Sequence, residues 1–184
     1  MSHVPDMPSR RNFLAGVSVV GAVGVAGCVS SVDTTTGRVF VKSINVEATA
    51  SDGNATRIDL LTVLFERSEN VLHGQYDPEY VGSAFDDRTV TVSDSLHENL
   101  KNRFGDVRYL VNVAPVGGNE GPVNVAATRA DFNELTLGGR ATVSTRSGEE
   151  EFRHLRVHDT EPRSQAISES NVRSFDLESA IDSN

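Results

Sequence analysis

Phe132-Asn133-Glu134-Leu135-Thr136-Leu137-Gly138-Gly139-Arg140-Ala141-Thr142-Val143-Ser144-Thr145 is the stretch on which the fold reading turns. Phe132 to Leu137 and Arg140 to Thr145 read as two strands flanking Gly138-Gly139, a two-residue turn whose positions both tolerate positive φ. The expectation is an antiparallel hairpin. Downstream, Phe152, Leu155 and Val157 continue the sheet after a loop at Ser147-Gly148. Beyond Thr160 the chain turns polar, with Val172, Phe175, Leu177 and Ile181 as scattered exceptions, and residues 160–184 read as a polar C-terminal tail.

Upstream, the same period-2 signal recurs. Val39 to Ala48 carries Phe40, Ile44 and Val46 on one face, with Lys42 breaking the alternation. Arg57 to Phe65 is apolar on both faces, the pattern of a central strand. A loop from Arg67 to Asp87 follows, then a short strand at Thr89 to Val92. Ser93 to Phe104 changes period: Leu96, Leu100 and Phe104 recur every four residues, Ser93 or Asp94 caps the start and Gly105 closes the end. This is the main helix expected. Val107 to Val113 alternates again until Pro115, and Pro122 to Ala127 is a weaker strand. Short strands at near-regular spacing with one inserted helix give a mainly β fold, read as an immunoglobulin-like β-sandwich over residues 38–159.

The first 28 residues carry a different message. Ser9-Arg10-Arg11-Asn12-Phe13-Leu14 precedes a short apolar, glycine-rich run ending in Val25-Ala26-Gly27-Cys28. The run from Phe13 to Gly27 falls short of the roughly 20 apolar residues that cross a bilayer, so it reads as a processing signal. The Arg10-Arg11 pair with Phe13 and Leu14 resembles the twin-arginine export motif, and Val25 to Cys28 resembles a lipobox. Taken with an acidic, lysine-poor composition, the chain is similar to the twin-arginine-exported lipoproteins of extremely halophilic archaea. That resemblance implies cleavage after residue 27, a covalent lipid on Cys28, residues 28–37 as a lipidated tether, and anchoring to the outer face of the cytoplasmic membrane. Cys28 is the single cysteine of the chain, so lipidation would also account for a lone thiol that no intramolecular disulfide can use.

Lys42 and Lys101 are the only lysines, and the net charge is −9. Nucleic-acid binding requires a basic stripe that releases counterions, and the sequence has none. His97-Glu98-Asn99-Leu100-Lys101 approaches a zinc-protease helix motif, but Lys101 stands where the second histidine belongs. His154 and His158 lie too far apart on a strand, at about 3.3 Å per residue, to share one ion. Glu149-Glu150-Glu151 reads as a solvated charge run. Asp77, Glu79, Asp86 and Asp87 crowd the longest loop with two tyrosines and are the candidates for a calcium ion, which takes several hard oxygen ligands. Asn54-Ala55-Thr56 is an N-glycosylation acceptor in a turn.

No nucleophile elbow, phosphate loop or dinucleotide fingerprint is present. The reading is therefore a lipid-anchored, cell-surface, non-catalytic module that binds an envelope protein or glycan or serves as envelope structure. The alternative is a small metal-assisted hydrolase built on the loop between Asp77 and Asp87.

Overall fold

The computed structural model describes residues 33–49, 53, 55–116, 123–146 and 153–181. The expected signal residues Arg10, Arg11, Phe13, Leu14 and Cys28, the expected acceptor Asn54 and the Glu149–Glu151 run lie outside them. The described part belongs to one compact unit, Ser31–Asn184.

Eight strands form it: β1 (Asp33–Thr49), β2 (Ala55–Glu66), β3 (Val71–Tyr76), β4 (Val107–Pro115), β5 (Val123–Ala127), β6 (Arg140–Arg146), β7 (His154–Glu161) and β8 (Glu169–Ser174). Four short helices accompany them: α1 (Pro78–Val81), α2 (Asp94–Phe104), α3 (Arg129–Glu134) and α4 (Leu177–Ile181), with a 3-10 turn over Gly82–Ala84. The chain is mainly β, as its alternation predicts. All eight strands share one hydrogen-bonded sheet, in the order β4-β5-β7-β6-β1-β2-β3-β8, with β4 also paired to β1. The pairing thus does not give the two separately bonded sheets expected of an immunoglobulin-like sandwich.

Strand β1 explains the difference. It is 17 residues long, enough to serve different neighbours at its two ends. On one edge, Asp33 to Arg38 pairs with β6 and Val41 to Thr49 pairs with β2. On the other edge, Gly37 to Val46 pairs with β4. Because β4 joins β5, β5 joins β7 in parallel and β7 joins β6, the strands β1, β4, β5, β7 and β6 close into a ring. Strands β2, β3 and β8 extend from the second half of β1 as an open wing. Closure removes edges that would otherwise template aggregation.

Two glycines permit the closure. A Cβ on Gly37 would lie 2.5 Å from the Ala114 carbonyl oxygen across the strand pair. Gly138 has φ +76°, and a Cβ there would meet the Phe65 ring at 2.8 Å. The Gly138-Gly139 pair does not join two strands. Phe132 to Glu134 ends helix α3, so the hairpin read from this stretch is replaced by a helix, a short connection and then β6. Gly138 N–H donates to the Val39 carbonyl at 2.8 Å and Val39 N–H to the Gly139 carbonyl at 3.0 Å. The glycines therefore bond to β1 where β6 gives way to β2.

Helix α3 carries a local signal after all. The Thr128 hydroxyl accepts the Asp131 N–H at 3.1 Å, a helix start of the capping kind that an alternation reading of Phe132 to Leu137 overrides. Helix α2 matches its expected bounds: the Ser93 hydroxyl accepts Leu96 N–H at 3.1 Å, and Gly105, at φ +78°, donates to the Lys101 carbonyl. The expected loop from Arg67 to Asp87 contains β3 and α1, and Thr89 to Val92 forms only an isolated bridge, Val90 with Phe85.

The ends of the domain also differ from the expected bounds. Residues 33–37, placed in the tether, already belong to β1. The segment read as a polar tail contributes β8, paired in parallel with β3, and buries Ile167 and Leu177. Scattered apolar residues conceal such docking from a periodicity count, because a parallel edge strand and one helical turn each bury only a residue or two.

Candidate functional site

Two features of the ring carry chemistry, one inside it and one outside. Inside, Lys42 is 1% exposed. Its place on β1 is fixed by neighbours Ile44 and Val46, which point into the apolar core, so the same pleat carries the ammonium inward. Nζ donates to the Val90 carbonyl at 2.6 Å and to the Leu135 carbonyl at 2.9 Å, and stands 4.1 Å from the centre of the Phe132 ring. Among the described residues no carboxylate pairs with it. Two hydrogen bonds and a ring contact stand against the desolvation cost of a buried amine without a counter-ion. Burial pushes the Lys42 amine down from 10.5 to about 7.

The Phe132 ring leads outward to Tyr109, 5.2 Å between centroids, whose hydroxyl lies 2.7 Å from His97 Nδ1. Burial pushes the Tyr109 phenol up to about 12, against a pull from Arg129 in the other direction. His97 is thus half-buried and bonded. The break in alternation at Lys42 was the sequence signal for this centre; its partners, 48 and 93 residues away, were invisible.

Outside the ring, the opposite pleat of β1, β2 and β4 presents a second surface. Among the described residues, Phe40, Val41, Leu110 and Ala114 are half-buried apolar side chains that do not join the core cluster, and Leu64 is 38% exposed. The register gathers them. Val41 stands opposite Leu64 and Asn112, Leu110 opposite Ser43, and Ala114 opposite Arg38, while Phe40 occupies the bulge between Val39 and Val41. The bulge breaks the alternation there, which lets Val39 and Lys42 both face inward. Between the apolar groups, Ser43 and Thr62 bond at 3.0 Å, and Asn112 Oδ1 is shielded with no hydrogen-bond partner. At the end of the same face, Arg57 binds Asp106 at 2.7 Å and holds that carboxyl below its usual range, with Asn45 bridging Arg57 and Asp59.

The acidic-loop residues are positioned by backbone bonds. Asp77 is 2% exposed; its Oδ1 accepts Glu79 and Tyr80 N–H, and its Oδ2 accepts Leu177 N–H. Glu79 is exposed. Asp86 loses some charge preference to burial, but bonds from Thr89 and Arg88 hold its carboxyl below the usual range. Asp87 is exposed at φ +69°. Among the described residues no three His, Cys, Asp or Glu side chains are grouped to hold a metal ion. His154 is exposed, and His158 Nε2 lies 2.7 Å from the Ser144 hydroxyl. No helix among the described residues is long and apolar enough to cross a membrane.

No protein-family model, curated protein or solved structure matches the chain.

Proposed function

We propose that the protein is an exported, lipid-anchored module that binds an envelope protein on the outer face of the cytoplasmic membrane, without catalysis. The scaffold of this reading is the single closed sheet, in place of the sandwich the strand pattern suggests. The observation that carries it is the outer face of β1, β2 and β4, where Phe40, Val41, Leu64 and Leu110 stand clear of the core around the unpaired Asn112 Oδ1. Apolar side chains gathered on one face outside the core are what a docked partner would cover. Their apolar character suits a protein partner.

The anchor supports the same reading. Five residue steps separate Cys28 from Asp33, at most about 17 Å when extended, so a lipid on Cys28 would hold the start of β1 within about that distance of the membrane surface. Held there, a partner anchored in the same membrane is met at high effective concentration.

A photo-crosslinking side chain at position 64, in intact envelopes, tests the surface. We expect one discrete protein adduct, lost when Leu110→Glu is added and not formed from position 98 on the exposed side of α2. Equal adducts from positions 64 and 98, or capture of glycan alone, would overturn the reading.

A further inference from the structure

We propose that β8 is a self-pairing edge, through which two copies of the chain join their sheets antiparallel about a twofold axis at Asn171. β8 stands last in the strand order, so among the described residues no strand covers its far side. The Phe175 N–H donates to the Tyr76 carbonyl at 2.9 Å, in the register that pairs β3 with β8. Backbone groups alternate between the two sides of a strand, so Asn171 and Arg173, in phase with Phe175, turn theirs to β3. Ser170 and Val172 turn theirs outward. The bond from the Ser168 N–H to the Asn70 carbonyl lies one residue out of this register, ahead of the strand. Open donors and acceptors along an edge are a template for another strand.

The side chains select the strand that fits. Glu169, Asn171 and Arg173 are exposed on one face of β8, while Val172 on the other packs against the core. Glu169 and Arg173 lie about 13 Å apart along the strand, at roughly 3.3 Å per residue, too far to pair with each other. Among the described residues neither has an ion-pair partner elsewhere in the chain. A second β8 laid antiparallel, Asn171 opposite Asn171, brings Glu169 of each copy opposite Arg173 of the other. Ser170 of each copy then exchanges both backbone bonds with Val172 of the other. The charged positions become non-hydrogen-bonded pairs, where side chains stand closer, with Cβ atoms about 4.5–5.5 Å apart.

Parallel alignment would instead set Glu169 against Glu169 and Arg173 against Arg173. The edge therefore complements its own copy in one orientation and repels it in the other, and a twofold interface requires that self-complementarity. Charged edge residues ordinarily discourage pairing. Here their opposite signs, evenly spaced about Asn171, penalise strands that lack the matching charges and admit a copy. Each chain carries a net charge of −9, but at physiological salt the screening length is about 8 Å, so repulsion between the two bodies fades before the contacting pairs lose their attraction. β3 separates this edge from the outer face of β1, β2 and β4, and the inference does not rest on the binding reading of that face.

Sedimentation of the full chain in mild detergent, at about 0.1 mM, tests the pairing. We expect a wild-type dimer. Glu169→Arg and Arg173→Glu each set like charges opposite one another and should weaken the dimer about tenfold or more. An equal mixture of the two variants restores opposite charges at both places and should associate within about threefold of the wild type. The mixture also reports that both variants fold. In a Cys28→Ser background, Asn171→Cys should give a covalent dimer on mild oxidation, because the two thiols face each other across the axis within disulfide reach. Ser95→Cys, on the exposed side of α2, should not. A monomeric wild type, a dimer indifferent to either charge reversal, a mixture as weak as its parts, or equal covalent dimer from positions 95 and 171 would overturn the self-pairing.

Discussion

Asp77 Oδ2 accepts the backbone N–H of Leu177 at 2.8 Å, across 100 residues of sequence. The same carboxylate caps α1 through Oδ1, with Glu79 N–H at 2.8 Å and Tyr80 N–H at 3.2 Å. One buried acid therefore fixes the start of one helix and docks the start of another, α4, beside the open wing.

Replacing Asp77 with Ala leaves three backbone donors without their acceptor. We expect a loss of about 2–4 kcal/mol, since each unsatisfied buried donor costs about 1–3 kcal/mol and some regain water. Asp77→Asn keeps one acceptor oxygen and should cost less, with the loss confined to one of the two helices. Urea unfolding gives the totals and amide exchange at Leu177 and Tyr80 the location. Unchanged protection at both amides in Asp77→Ala would contradict the double-cap assignment.

Gly138 and Gly105 have nearly the same φ, +76° and +78°, but only Gly138 faces the Phe65 ring. An alanine at 105 meets open space and bears only the strain of its positive-φ backbone, at least about 1–2 kcal/mol. At 138 the clash adds to that strain, and we expect roughly 3–5 kcal/mol. Shrinking the ring with Phe65→Leu in the Gly138→Ala background should recover part of the added cost beyond simple additivity. Equal losses in Gly138→Ala and Gly105→Ala would remove the packing role given to Gly138.

Export and anchoring make separable expectations. With Arg10 and Arg11 both changed to Lys, precursor should accumulate in the cytoplasm, as the twin-arginine resemblance implies. With Cys28→Ser, the protein should leave the membrane fraction or stall unprocessed, because a lipid chain supplies about 0.8 kcal/mol per buried CH₂ to an otherwise acidic, polar protein. Fractionation of whole cells reads both. Normal export of the first variant, or processed and membrane-bound protein from the second, would count against the corresponding motif.

Residue patterns with local causes were legible in the chain itself. The period-4 run of α2 with its serine cap and glycine stop, the doubly apolar β2 and the alternation of β4 each depend on neighbours within a few residues, and the structure places them as the sequence reads. The mainly β class follows from their number. The helix entered by Phe132 was also a local decision, because the capped start at Thr128 lies within the same turn, although Phe132, Leu135 and Leu137 suit a strand as well. Two decisions were tertiary. Lys42 is visible only as a flaw in a strand; the carbonyls that make it a buried tie come from segments 48 and 93 residues away. Asp77 looks like one acid among several in a loop until folding brings Leu177 to it. Strand partners were the least legible of all. A long β1 offers the same backbone donors and acceptors to any neighbour, so side-chain period fixes which face is buried. Which strand pairs where was set by the close approach at Gly37, the bulge at Phe40 and the backbone bonds of Val39 to Gly138 and Gly139.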